Sequence, residues 1–111
     1  MSRPRDPAEP TEQQFLGMVL QLAKLHRWRS IHVRPGRTAA GGWRTPVQGD
    51  GVGFVDCLLL RDSRLIAAEL KSSRGTTTPE QDAWLKSFRE VGAEVFIWKF
   101  SDWKEIEATL K

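Results

Sequence analysis

The sequence predicts an α/β domain, a mixed sheet with helices packed on it. Segments with helical spacing of apolar residues lie near residues 11–27, 78–91 and 101–110, while runs rich in Val, Ile, Leu and Phe fill 53–61, 64–71 and 93–100. The order is then α-β-β-β-α-β-α. A helix between the last two strands brings the final strand back parallel to the one before it, with a right-handed crossover. A chain of 111 residues with 40% apolar content has room for one domain and one modest core.

Residues 1–10 carry three prolines and lack the apolar stretch of a signal peptide. They are expected to be a flexible tail ahead of a single domain over 11–111. Thr11 and Gln14 form a capping box that opens the first helix, which runs to about Arg27. Phe15, Val19, Leu22 and Leu25 or His26, with Met18 beside them, make its buried stripe. Glu12 precedes Phe15 by three residues and Val19 by seven, so it projects from the side of that stripe. A carboxylate in a first turn is also what the helix dipole favours, and both readings of Glu12 stand.

Residues 30–34 read as a short strand. Residues 35–49, with four glycines and two prolines, read as a long loop without an element of its own, and such a loop in a small domain is usually functional. The next two strands form a hairpin turning at Asp62 and Ser63. Thr78 caps the second helix, Pro79 opens it and Gly92 stops it, with Trp84, Leu85, Phe88 and Val91 as its buried side. The strand at 93–100 is apolar on both faces, which suits a parallel position. Ser101 is expected to cap a last helix that buries Trp103, Ile106 and Leu110.

The net charge is only +3, but between residues 13 and 49 there are six basic residues and no acidic ones. Such a region is the footprint of a polyanion partner, or else a solvated face. Arg27, Arg29, Arg34, Arg37 and Arg44 are the candidates to grip DNA phosphates. Trp28 and Trp43 lie among these arginines and could stack on bases or pack in the core. The one cysteine, Cys57, excludes an internal disulfide, and no apolar run approaches the roughly 20 residues of a membrane helix. A soluble cytoplasmic protein is the expectation.

Within the hairpin sit three charged residues that a buried sheet should avoid: Asp56, Glu69 and Lys71. If Arg61 faces Arg64 across the turn, counting back along both strands brings Asp56 directly opposite Glu69. Their Cβ atoms would then be roughly 4.5–5.5 Å apart. Lys71, two residues beyond Glu69, points to the same face. Like charges in opposition destabilise a sheet unless a cation lies between them. Two carboxylates, a strand carbonyl and waters make a good incomplete octahedral site for Mg²⁺. A metal so held polarises a phosphoryl oxygen, and an adjacent ammonium neutralises charge in the transition state. A Glu69–Lys71 ion pair on a solvated face is the alternative. Cys57 alternates to the opposite face and reads as a core residue, while His26 and His32 have no metal-ligand spacing.

The combination "GVGFVD", twelve residues, "ELK", and then "PEQDAWLKSFREVGAEVFIW" resembles the PD-(D/E)xK nuclease superfamily, and more narrowly its VRR-NUC type, small stand-alone members of which occur in bacteriophages. The resemblance spans about 11–110. It implies a restriction-endonuclease-like αβββαβ core, Asp56 and Glu69 as metal ligands with the backbone carbonyl of Leu70, and Lys71 as the catalytic lysine. It also implies active-site roles for Gln81 and Glu12. For Gln81 the residues themselves allow a second role, a capping-box bond back to Thr78. One departure is that Val55 stands where the superfamily motif has proline.

The expected function is a Mg²⁺- or Mn²⁺-dependent DNA endonuclease that is structure-selective, Holliday-junction-resolvase-like or flap-type. For a phage-encoded member the location is the cytoplasm of a bacterial host. A homodimer would place two sites on two strands. The alternatives are a non-catalytic DNA-binding protein that keeps the fold and a hydrolase of small phosphoesters.

Overall fold

The structure, a computed structural model, describes residues 9–33 and 49–111, and the backbone alone of residues 36–37 and 43–44. The expected tail thus lies outside the described residues, apart from Glu9 and Pro10. So does Arg34.

Helix α1 is Glu12–Leu25. Thr11 Oγ1 accepts from the Gln14 amide at 3.0 Å and Gln14 Oε1 accepts from the Thr11 amide at 2.9 Å, both halves of the expected capping box. Its buried residues are Phe15, Leu16, Val19 and Ala23. Leu25, expected in the stripe, is 73% exposed. The stripe advances four residues at a time from Phe15, away from the Leu25 side, and the helix stops there. Arg27, at φ 65°, turns the chain into the sheet.

Four strands form one mixed sheet in the order β1 (Arg29–His32), β4 (Cys57–Arg61), β5 (Arg64–Leu70) and β6 (Glu94–Trp98). The first two pairings are antiparallel and the last is parallel. A separate two-residue ladder joins β2 (Gly36–Arg37) to β3 (Trp43–Arg44), so the segment expected to have no element holds one. Strands of two residues are too short to leave an alternation pattern in sequence. The β4–β5 turn falls at Asp62 and Ser63, with Asp62 at φ 55° and Arg61 opposite Arg64.

The two sheet faces are covered differently. On one, Cys57, Leu59, Ile66, Ala68 and Leu70 pack with α1, Trp28, Trp98 and the buried Ile106 and Leu110 of α3 (Trp103–Leu110). On the other, Val55 and Ala67 pack against Leu85 of α2 (Pro79–Glu90), with Phe54, Leu58, Trp84, Phe88 and Val95 partly buried around them. Val91, expected in that layer, follows the last helical residue and is 79% exposed. Ser101 does not cap α3. It lies within a 3-10 turn, Phe100–Asp102, whose first amide bond is supplied by Asp102 Oδ2 accepting from the Lys99 amide. Trp28 is buried and its Nε1 donates to the Leu110 carbonyl, so it is a core residue and not a stacking platform. No helix among the described residues is long and apolar enough to cross a membrane.

Candidate active site

The register places the three charged residues of the hairpin together at its open end. The β4–β5 ladder closes at Cys57 and Ala68, so Asp56 stands one residue before the strand and not within it. Its side chain continues the pairing in place of the backbone, Oδ2 accepting from the Leu70 amide at 2.8 Å. Glu69 is the one buried charged residue among the described residues, 1% exposed, on the sheet face that α2 covers. Its Oε1 accepts from Gln81 Nε2 at 3.2 Å and lies 4.0 Å from the Lys71 ammonium. Its Oε2 is buried with no hydrogen-bond partner among the described residues.

That unpartnered oxygen has a simple electrostatic origin. Asp56 is near enough to bear on the ionisation of Glu69, and two carboxylates, when ionised, only accept. Burial first, and the neighbouring Asp56 carboxylate next, push the Glu69 pKa well above the carboxylate range; Lys71 opposes this and Glu12 adds to it. Ionising both carboxylates would therefore place more negative charge here than the described residues neutralise. A hard cation fits that description. Among the described residues no group of three or more His, Cys, Asp or Glu side chains could hold a metal, so an ion here would rest on two carboxylates, backbone oxygen and water.

The surrounding elements fix these groups by close approach. Gly53 has φ 78°, and a Cβ there would meet the Glu80 carbonyl carbon and Cβ at 2.6 Å and the Gln81 amide at 2.8 Å. Only glycine lets the chain leading to Asp56 lie against the first turn of α2. Trp84 Nε1 donates to the Asp50 carbonyl at 3.0 Å and locks the same contact. Gln81 fills both roles that the sequence left open. Its Oε1 accepts from the Thr78 amide at 2.9 Å, completing the capping box, while its Nε2 turns to Glu69. Glu12 Oε1 accepts from the Ser72 amide at 3.1 Å and so holds the backbone immediately after Lys71. Beyond it, Gly75 passes so close that an added Cβ would stand 3.3 Å from Lys71 Cβ.

The arginines are placed elsewhere. Arg27 and Arg29 are exposed around a concavity of about 610 Å³, shared with His26, Leu60, Arg61 and Asp62, at the turn end of the hairpin. Arg29 pairs with Leu60, four residues along β4 from Asp56, roughly 13 Å at the rise of a strand. Arg37 and Arg44 lie on β2 and β3, and only their backbone is described. The structure thus assembles Asp56, Glu69, Lys71, Gln81 and Glu12, and sets Arg27 and Arg29 apart from them. Cys57 is the core residue expected, its thiol pushed up to about 12 by burial, then by Asp56 and Glu69.

His32 is the residue that spacing missed. Its Nδ1 lies 2.6 Å from the Asp56 carbonyl, which also accepts from the Val33 amide at 3.3 Å. The only signal for it was the pairing of β1 with β4, which no motif announces. Comparison with family models, with curated proteins and with solved structures gave no match for this chain.

Proposed function

We propose that this chain is a Mg²⁺- or Mn²⁺-dependent DNA endonuclease with a PD-(D/E)xK architecture of the VRR-NUC type. The observation that carries the reading is a buried Glu69 beside Asp56, with one oxygen unpartnered among the described residues and an ammonium 4.0 Å from the other. The order α1-β1-β4-β5-α2-β6 and the strand directions support a restriction-endonuclease-like αβββαβ core.

In this reading Asp56 and Glu69, with the Leu70 carbonyl, hold the cation, which when bound supplies a Lewis acid for a phosphate oxygen. Lys71 offsets the charge that grows on the phosphate oxygens during attack, an interaction worth more in the transition state than before it. Gln81 fixes the rotamer of Glu69 from α2, and Glu12 fixes the backbone that carries Lys71. Arg27 and Arg29, with Arg34, Arg37 and Arg44, contribute salt-sensitive phosphate contacts. A second copy of the chain would put two such sites on the two strands of a branched DNA.

The test is cleavage of single-stranded, duplex, flap and four-way DNA in Mg²⁺, Mn²⁺ or chelator. Cleavage should require the cation, and Lys71→Ala should lower it by roughly 10²-fold or more while DNA affinity stays level. A parent chain that binds DNA and cuts none of these substrates supports the non-catalytic alternative. A Lys71→Ala variant within about 10-fold of the parent, some 1.4 kcal/mol, removes the role given to Lys71.

A further inference from the structure

We infer that His32 is a positioning residue for Asp56, acting through the main chain from the edge strand. Its functional weight rests on the nuclease reading, whereas its geometry does not. A carbonyl oxygen only accepts, so the 2.6 Å contact requires the proton on His32 Nδ1. Nε2 is buried and has no partner among the described residues, so Nδ1 makes the one directed bond of that ring to them. The Asp56 carbonyl is therefore gripped twice, by His32 Nδ1 and by the Val33 amide.

This grip falls where the ladder gives out. The β1–β4 pairing ends at His32 and Cys57, and the β4–β5 pairing ends at Cys57 and Ala68. Asp56 lies one residue beyond the last rung of both ladders. Among the described residues its other anchor is the side-chain bond to the Leu70 amide, which a chain free to rotate at residue 56 would lose. Holding the Asp56 carbonyl sets the peptide plane and thereby aims the carboxylate at Leu70 and Glu69. A ligand-bearing side chain aimed by a partner behind it is a general feature of sites that must hold a cation.

The Leu70 amide reports this directly, because its acceptor is the Asp56 side chain. Hydrogen exchange in chelator should show that amide exchanging roughly fivefold faster or more in His32→Ala, the weight of one ordinary hydrogen bond. The amides of Ile66, Ala67 and Ala68 should keep their protection. His32→Asn, whose amide nitrogen stands close to the place of Nδ1, should restore the parent rate at Leu70. His32→Gln, which reaches to the place of Nε2 instead, should not. Unchanged Leu70 exchange in His32→Ala overturns the inference, and so does an equal loss across all four amides. If His32→Ala fails to fold, the contrast between Asn and Gln decides in its place. Adding Mn²⁺ to the same variants separates this from the nuclease reading. A parent that gains no thermal stability from Mn²⁺ counts against the metal site, while the exchange result stands on its own.

Discussion

The two ends of the β4–β5 hairpin pose the same electrostatic problem and answer it differently. At the turn end Arg61 and Arg64 face each other on adjacent strands, two cations in direct opposition. Both lie over the Trp28 ring, at 4.4 and 4.9 Å from its centroid. Arg61 donates to the carbonyls of His26, Leu110 and Lys111, and Arg64 makes a two-pronged pair with Glu94 at 2.7 and 2.8 Å. At the open end Asp56 and Glu69 are the like pair, on the opposite face of the sheet. There the described residues supply Gln81, the Leu70 amide and a distant Lys71, and leave one buried oxygen without a partner among them. The cations are neutralised from within. The carboxylates have no cation on them among the described residues closer than Lys71, and that asymmetry separates a structural charge cluster from a candidate site.

The comparison is broken most severely by filling the space at Gly53. Gly53→Ala would set a Cβ against α2 backbone at 2.6 Å while holding φ at 78°. Strain of this kind costs about 2 kcal/mol or more, and either α2 or the Asp56 backbone must move to relieve it. Thermal unfolding should show the loss, and the response to Mg²⁺ should weaken with it. A variant as stable as its parent, with an undiminished Mg²⁺ response, would mean that this contact does not position the site.

At the turn end, Arg64→Ala removes the Glu94 pair and one of the two cations over Trp28. The pair is about one-third exposed on each side (36% and 38%), so solvent screening limits the loss to about 1 kcal/mol. The variant should unfold a few degrees lower whether or not Mg²⁺ is present. Any dependence of that loss on Mg²⁺ would mean that the two ends are coupled.

How far the sequence went follows the same division. The turn at Asp62–Ser63 fixed one rung, and counting back along both strands then carried the register to Cys57 and Ala68, the last rung before Asp56 and Glu69. Capping chemistry located Thr11, Gln14, Thr78 and Gln81 because it acts over three residues. What could not be read was set by contacts distant along the chain. Trp28 joins the core because α3 arrives beside it, 82 residues later. His32 meets Asp56 across a strand pairing, and Glu12 meets Ser72 sixty residues away. Leu25 and Val91 were misplaced because a helical stripe extends past a helix end on paper but not in space.

Acid and base should act on the two ends in opposite senses. Glu69 has a raised folded-state pKa, about 9, against roughly 4.3 for an unfolded glutamate. Between those values the unfolded state has released a proton that the folded state keeps, so rising pH favours unfolding. That contribution is full below the unfolded value and is lost as pH rises through the folded one. Glu94 is lowered by its hydrogen bond to Arg64, so its contribution is present above the unfolded value and lost as pH falls through the folded one. In chelator, Glu69→Gln should therefore flatten the fall in melting temperature between pH 5 and 8, where Arg64→Ala should leave it unchanged. On the proposed reading, Mg²⁺ should oppose the alkaline loss in the parent and in Arg64→Ala but not in Glu69→Gln, because it would bind the ionised carboxylates. A parent whose stability does not depend on pH in that interval would contradict the buried like-charge pair.

The smallest effect tests the pair most directly. Asp56→Asn keeps the shape of the side chain and its carbonyl oxygen can still accept from the Leu70 amide, so the anchor at the end of the ladder survives. The new amide nitrogen can donate to the Glu69 oxygen that has no partner among the described residues. At about pH 9, where Glu69 ionises in the fold, one charge of a repulsive pair is gone, and an oxygen without a partner among the described residues is satisfied. Both changes favour the folded state in chelator, by about 0.2–1 kcal/mol on the scale of cross-strand pairs. The melting temperature should rise by a few degrees there. It should rise less, or fall, relative to the parent in Mg²⁺, because a cation stabilises the fold only through its affinity for it and half of its carboxylate ligands is lost. The sign reversal is the observation to look for, since no stability change confined to packing depends on the cation. If Asp56→Asn melts below the parent in chelator and gains as much from Mg²⁺, the carboxylate serves the backbone alone. The open end would then be as self-sufficient as the turn end.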